Sequence, residues 1–251
     1  MTTPARIFTI VPVKTSLLLV PGLLCDATVW ADQVAGLKAL ADIQIAENGP
    51  RDSLVAMAEA IIAQAPPRFA LAGHSMGGRV ALEVVRRVPQ RVQALALMDT
   101  GYEPVADGEV GQRETEGRMR MVQKAREQGM NALGRAWVQG MVLSSRLSDH
   151  ALVDPIIQMI ERRTPEYYAA QTQALLTRPD ATSVLKGIRC PTLVLCGRDD
   201  AWSPFDRHRQ MADLIPASRL AAIDRCGHMS TMERPAAVTA ELRRWLEELP
   251  K

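Results

Sequence analysis

Phe69-Ala-Leu-Ala-Gly-His-Ser75-Met-Gly-Gly-Arg-Val-Ala-Leu-Glu83 reads as an apolar strand, a sharp turn and the opening of a helix. At the turn stand Gly73, Ser75 and Gly77, a G-x-S-x-G pattern. A nucleophilic serine has to stand clear of a sheet on a tight, strained turn. Small residues two before and two after it let strand and helix approach without collision. The hydroxyl then lies at a helix N-terminus, where the dipole and free N–H groups favour developing negative charge.

Working outward, short runs rich in Val, Leu and Ile recur at Ser16–Val20, Ile43–Ala46, Phe69–Gly73, Val92–Met98, Thr192–Cys196 and Leu220–Ile223, each read as followed by a turn and a helical pattern. Apolar runs without alternation predict strands buried on both faces, hence a doubly wound, mostly parallel α/β sheet covered by helices. From about Val105 to Ser183 the rhythm changes. Met119, Met121, Ala125, Leu133, Trp137, Met141, Ile156, Ile160 and Tyr167 recur at helical spacing, which predicts an inserted cap of three or four helices. Asp154-Pro155, Thr164-Pro165 and Arg178-Pro179 are read as helix starts and stops within it. The expected division is a core of residues 1–104 and 184–251 and a cap of residues 105–183.

A serine hydroxyl needs a base, and the base needs a carboxylate that fixes its tautomer. Four histidines compete. His74, next to Ser75, points away from it and serves packing or a local hydrogen bond. His150 is an exposed residue near a helix start, and His208, between Arg207 and Arg209, reads as a solvated helix face. His228 follows the last strand on a glycine-containing loop, where an imidazole swings over the strand ends, and is the expected general base and acid. For the carboxylate, Asp199 and Asp200 close the fifth strand; Asp200 is chosen, Asp199 faces solvent or caps the turn, and Asp99 is a third position within reach. The chain order Ser75, Asp200, His228 differs from the orders in chymotrypsin and subtilisin. Backbone N–H groups of Leu23, after the first strand, and Met76, after the serine, are the expected oxyanion donors.

These residues resemble the α/β-hydrolase superfamily over nearly the whole chain, in the branch with a helical cap. The resemblance rests on Leu17-Leu-Leu-Val-Pro-Gly-Leu-Leu24, Gly73-His-Ser-Met-Gly-Gly78, Cys190-Pro-Thr-Leu-Val-Leu-Cys-Gly-Arg-Asp-Asp-Ala-Trp-Ser-Pro204 and Cys226-Gly-His-Met-Ser-Thr-Met-Glu-Arg-Pro235. In such sequences the acid stands three residues after the glycine and four before the proline, which selects Asp200. Within the branch, Arg178-Pro-Asp180 and Ile188-Arg-Cys-Pro-Thr-Leu-Val194 are similar to oxoadipate enol-lactone hydrolases and small carboxylesterases. Relatives often carry His-Gly where this chain has Pro21-Gly22, and the segment before Ser16 is shorter than the two-strand opening of larger relatives, so fewer than eight strands are expected.

The expected activity is cleavage of small, mostly apolar carboxylic esters or lactones through an acyl-enzyme, without cofactor or metal. Carbon–carbon bond hydrolysis and perhydrolysis on the same triad, or a non-catalytic small-molecule receptor on this fold, are the alternatives. Trp137, Met141 and Met229 are the expected substrate contacts, since flexible thioethers and aromatic rings suit an apolar pocket. Arg118, Arg120, Arg162 and Arg163 either hold a substrate carboxylate or, as runs of this kind usually do, form solvated faces.

Thirty Lys and Arg against 28 Asp and Glu give a net charge of +2, too small a field to imply a nucleic-acid or membrane-surface partner. The N-terminus lacks a basic region leading into an apolar run, so neither signal peptide nor membrane span is expected. Four scattered cysteines fit reduced thiols in a cytoplasm. Oligomeric state is not encoded in any pattern of this chain.

Overall fold

The computed structural model describes residues 14–249. The expectations placed on the first 13 residues, including the leader reading, lie outside that range. Six parallel strands, β1 (Thr15–Val20), β2 (Ala41–Ile45), β3 (Phe69–His74), β4 (Val92–Met98), β5 (Thr192–Gly197) and β6 (Ser218–Ile223), form one sheet in the order β2-β1-β3-β4-β5-β6. Each pairs in register with its neighbours, apart from a shift at Phe69/Ala70 between β3 and β4.

The central strands follow the sequence reading. Leu17, Leu19, Phe69, Leu71, Leu95, Leu97, Leu193 and Leu195 are fully enclosed, each worth about 1.5–3 kcal/mol of burial. The two outer strands do not. β2 alternates between buried and exposed positions, and β6 is half-buried at Ser218, Arg219 and Leu220. Among the described residues neither has a neighbouring strand beyond it, so only one flank is covered.

The helices are α1 (Ala31–Leu37), α2 (Leu54–Gln64), α3 (Met76–Arg87), α4 (Gly108–Met141), α5 (His150–Glu161), α6 (Pro165–Leu176), α7 (Thr182–Gly187), α8 (Phe205–Leu214), α9 (Ser230–Glu233) and α10 (Pro235–Glu247). Between β4 and β5, α4, α5 and α6 form a helical cap insertion, with α5 and α6 both packed on α4. α4 is kinked at Gly129, whose φ of 83° only glycine adopts without strain, so its halves act as two helices.

Thr164 caps α6 by accepting the Tyr167 N–H, with Pro165 in the first turn, as the sequence predicts. Pro155 does not start or stop a helix. It lies inside α5, which continues because Leu152, Val153, Ile156, Ile157, Met159 and Ile160 bury one face. That packing outweighs the backbone hydrogen bond a proline forfeits.

The sheet order reverses between β1 and β3. At such a switch point, strand ends on one edge open a crevice for a ligand.

Candidate active site

The turn after β3 is forced by close packing. A Cβ at Gly73 would lie 2.3 Å from the Gly77 carbonyl oxygen, and one at Gly77 would lie 2.1 Å from that of Val20. Neither position accepts a side chain, so helix α3 lies directly against strands β1 and β3. Ser75 is left at φ 55°, ψ −122°, a strained backbone held by its N–H to the Met98 carbonyl (2.8 Å) and by the Thr100 hydroxyl donating to its carbonyl (2.6 Å).

Three side chains from three strand ends converge there. The Ser75 hydroxyl lies 2.8 Å from Nε2 of His228, and Nδ1 of His228 lies 2.8 Å from Asp200 Oδ2. Asp200 Oδ1 accepts the amides of Trp202 (2.8 Å) and Ser203 (2.9 Å), which aims the carboxylate. Burial raises the Asp200 pKa, but the His228 charge and hydrogen bond and the two amides outweigh it, so its carboxyl titrates below the usual range. Burial works equally against an imidazolium at His228. The charge of the Asp200 carboxylate and its hydrogen bond prevail, and the imidazole pKa rises above its ordinary value.

Asp99, the third carboxylate in reach, is otherwise engaged. Its Oδ1 accepts the Gly197 N–H (2.8 Å) and its Oδ2 the Ser230 hydroxyl, while burial and the nearby Asp200 charge push its pKa up to about 8. Asp199 is exposed, its amide donating to the Cys226 carbonyl.

His74 is buried beneath the site, Nε2 donating to the His228 carbonyl (2.9 Å); burial first, then the His228 charge, lowers its pKa to about 4 and keeps it neutral. His150 is exposed at the first residue of α5.

His208 corrects the sequence reading. It is fully buried, not solvated: Nε2 accepts the Thr100 N–H (2.9 Å), Nδ1 donates to the Pro204 carbonyl (3.2 Å), and burial lowers its pKa to about 4. Of the flanking arginines only Arg209 is exposed, while Arg207 is half-buried and lines the cavity, and α8 packs against β5 and β6.

Above these groups opens a cavity of about 980 Å³. Leu23 and Met76 line it beside Ser75, and among the described residues their amides donate to no other group. Trp137, Met141 and Met229 line it too, with Trp202 stacked at a tilt 5.0 Å from the His228 ring. Met119 points to solvent. Of the four cap arginines singled out in the sequence, only Arg118 lines the cavity. Arg120 pairs with Glu116 on the surface, Arg162 binds Asp26, and Arg163 reaches Glu47 and the Cys25 carbonyl.

The profile of the Alpha/beta hydrolase family matches residues 17–242. The chain belongs to the alpha/beta hydrolase family. Among curated relatives of this hydrolase, the pimeloyl-[acyl-carrier protein] methyl ester esterase of Nitrosomonas europaea is 29% identical over 188 residues, 73% of each chain. The 2-hydroxy-6-oxononadienedioate/2-hydroxy-6-oxononatrienedioate hydrolase of Cupriavidus pinatubonensis is 30% identical over 180 residues, 68% of this chain and 59% of that one. A thermophilic esterase from Thermogutta terrifontis, solved with malate bound, superposes with a TM-score of 0.82 at 30% identity, covering 93% of this chain and 90% of that one. The enol-lactonase of Burkholderia xenovorans superposes with a TM-score of 0.81 at 23% identity, over 94% and 92% of the two chains, and shares the fold.

Two further residues brace this hydrolase site. Gln171 of α6 accepts the Leu24 N–H (2.9 Å) and donates to the Gly49 carbonyl (2.9 Å), tying the cap to the loop that carries Leu23. Glu233 accepts the amides of Gly227 (3.0 Å) and Leu143 (3.3 Å), tying the His228 loop to the end of α4. Both contacts span 90 or more residues in one direction, so no local pattern announces them. Among the described residues no helix is long and apolar enough to cross a membrane.

Proposed function

We propose that this hydrolase cleaves small carboxylic esters or lactones by two-step acyl transfer on Ser75. The observation that carries the reading is the unbroken line of hydrogen-bond distances from Ser75 through His228 to Asp200. Ser75 Oγ attacks the carbonyl carbon while His228 Nε2 takes its proton. The tetrahedral oxyanion is held by the Leu23 and Met76 amides. Collapse expels the alcohol, or opens the lactone, with the proton returned from His228. Water, activated by the same imidazole, then releases the acid and regenerates Ser75. Asp200 fixes the tautomer that presents an unprotonated Nε2 to the serine and stabilises the imidazolium.

Trp137, Met141 and Met229 are the proposed apolar contacts of the substrate, and the cap of residues 105–183 over the core of 1–104 and 184–251 is the proposed roof. Esterase activity in the names of the Nitrosomonas and Thermogutta relatives supports the ester reading. The Cupriavidus relative's name favours a second one, carbon–carbon bond hydrolysis on the same three residues. We place the enzyme in the cytoplasm, a reading supported by four cysteines that are all free.

Hydrolysis of p-nitrophenyl butyrate by Ser75→Ala tests the reading. Loss of a nucleophile of this kind costs on the order of a million-fold in turnover in subtilisin. A variant that keeps most of its activity contradicts the assignment.

A further inference from the structure

Arg79 stands four residues after Ser75, in the first turn of α3, and lines the cavity. A cation in that turn faces the positive end of the helix dipole, an unfavourable place without a compensating anion. Burial, together with the nearby guanidinium groups of Arg178, Arg207 and Arg118, pushes its pKa down to about 9, so it remains charged at neutral pH.

Its neighbours have partners. Arg178 grips Glu114 with two bonds (2.7 and 2.8 Å), Arg118 shares that carboxylate (2.9 Å), and Arg207 Nε lies 3.6 Å from the Glu103 carboxylate. Arg79 has none: among the described residues it forms no ion pair, and Nη1 donates to the Glu103 carbonyl (2.8 Å). Its Nη2 is turned toward Gly101. A Cβ built on that glycine would fall 2.7 Å from Arg79 Nη2 and 3.1 Å from Arg207 Cδ, so the two cationic chains flank one spot on the cavity wall. With Arg113, five guanidinium groups line the cavity against four carboxyl groups, Asp99, Glu103, Glu114 and Asp180.

We propose that Arg79, with Arg207 beside it, is an anion subsite that takes a carboxylate borne by the substrate at the end remote from the scissile carbonyl. A planar guanidinium matches a carboxylate with two parallel N–H donors, and in a partly desolvated site such a bond is among the stronger polar contacts. The rest of the wall is apolar enough to hold the connecting chain, so the favoured substrate is mostly hydrocarbon with one charged end: a half-ester of a dicarboxylic acid, or a lactone carrying a carboxylate. The cleavage step is the one written for Ser75, and the inference rests on that reading.

The test compares monoethyl adipate with its neutral counterpart ethyl hexanoate, followed by pH-stat in the wild type, Arg79→Gln and Arg79→Lys. The readout is the ratio of kcat/KM for the anionic over the neutral ester. Arg79→Gln is expected to lower that ratio about tenfold or more, mainly through KM, with partial recovery in Arg79→Lys. Calorimetric titration with adipate reads the subsite without turnover, and the same variant is expected to weaken adipate binding by a similar factor. A ratio within about twofold of wild type in Arg79→Gln, or adipate affinity equal in the two proteins, overturns the subsite. Failure of the Ser75 reading looks different: Ser75→Ala would then hydrolyse both esters.

Discussion

The floor of the cavity, on the strand ends, is fixed by backbone against backbone; its roof, the cap, is tied to that floor mostly by side chains, beside the backbone bonds of the Met229 N–H to the Met141 carbonyl and the Ala181 N–H to the Tyr102 carbonyl. Beneath, Gly73 and Gly77 leave no room for even a methyl group, and Ser75 is held in a strained conformation by main-chain contacts to β4 and the Thr100 hydroxyl. Above, the cap meets the loops of the core through Gln171, Glu233 and Arg178, which donates to the Glu103 and Pro104 carbonyls. A nucleophile and its base tolerate little displacement, and the proposed ones stand beside these tight backbone contacts. Substrate-sized space lies against the part of the molecule held by fewer, replaceable bonds.

Changes to the reacting groups of the floor should therefore act on chemistry, changes to its packing on stability, and changes to the roof on stability and, through the loop it braces, on turnover, and the difference is measurable. The largest effect after loss of Ser75 is expected at Asp200. Asp200→Asn should lower kcat by about ten-thousand-fold with the fold intact, because the histidine adopts the wrong tautomer. The pH profile sharpens this. His228 must be neutral to act as base, and its pKa is raised by Asp200, so wild-type kcat/KM should fall on acidification through a value above the ordinary histidine pKa of about 6.5. Removing the carboxylate removes the upward shift, and the residual activity of Asp200→Asn should persist to lower pH. An acid limb that stays in place would detach Asp200 from the titrating group.

Gly77→Ala comes next. A Cβ 2.1 Å from the Val20 carbonyl oxygen must push α3 off β1, so stability should fall by about 3 kcal/mol or more, read from urea denaturation. In the roof, Gln171→Ala strands the buried Leu24 amide and should cost about 1–3 kcal/mol, with kcat reduced through the displaced Leu23 loop. An unaffected kcat there would mean that the floor keeps its shape without the cap. The smallest effect belongs to Arg120→Ala, whose ion pair with Glu116 is on the surface. Stability should change by less than about 0.5 kcal/mol, and hydrolysis should match wild type.

How much of this was legible follows from the same contrast. The central strands betrayed themselves by uninterrupted apolar runs, and turn residues beside Ser75 and His228 made them candidates, while Asp200 was chosen over Asp199 by the family resemblance. Those are local signals. His208 was misread because its burial depends on Thr100, 108 residues away, while its own neighbours in the chain are arginines. Pro155 was misread because a packed face on α4 overrides a local helix breaker. Gln171 carries no pattern at all, and Glu233, though it falls in the family-like stretch Cys226–Pro235, has no local signal of its bond to Leu143. Arg79 did leave a trace, a cation in the first turn of a helix where a neutral or acidic residue is favoured.

An organofluorophosphonate probe bears most directly on whether Ser75 Oγ is activated by His228. Peptide mass spectrometry of the treated protein should place one adduct on Ser75, absent in Ser75→Ala and much slower to form in His228→Ala. An adduct on another residue, or labelling of Ser75 at equal rate without His228, would contradict the account.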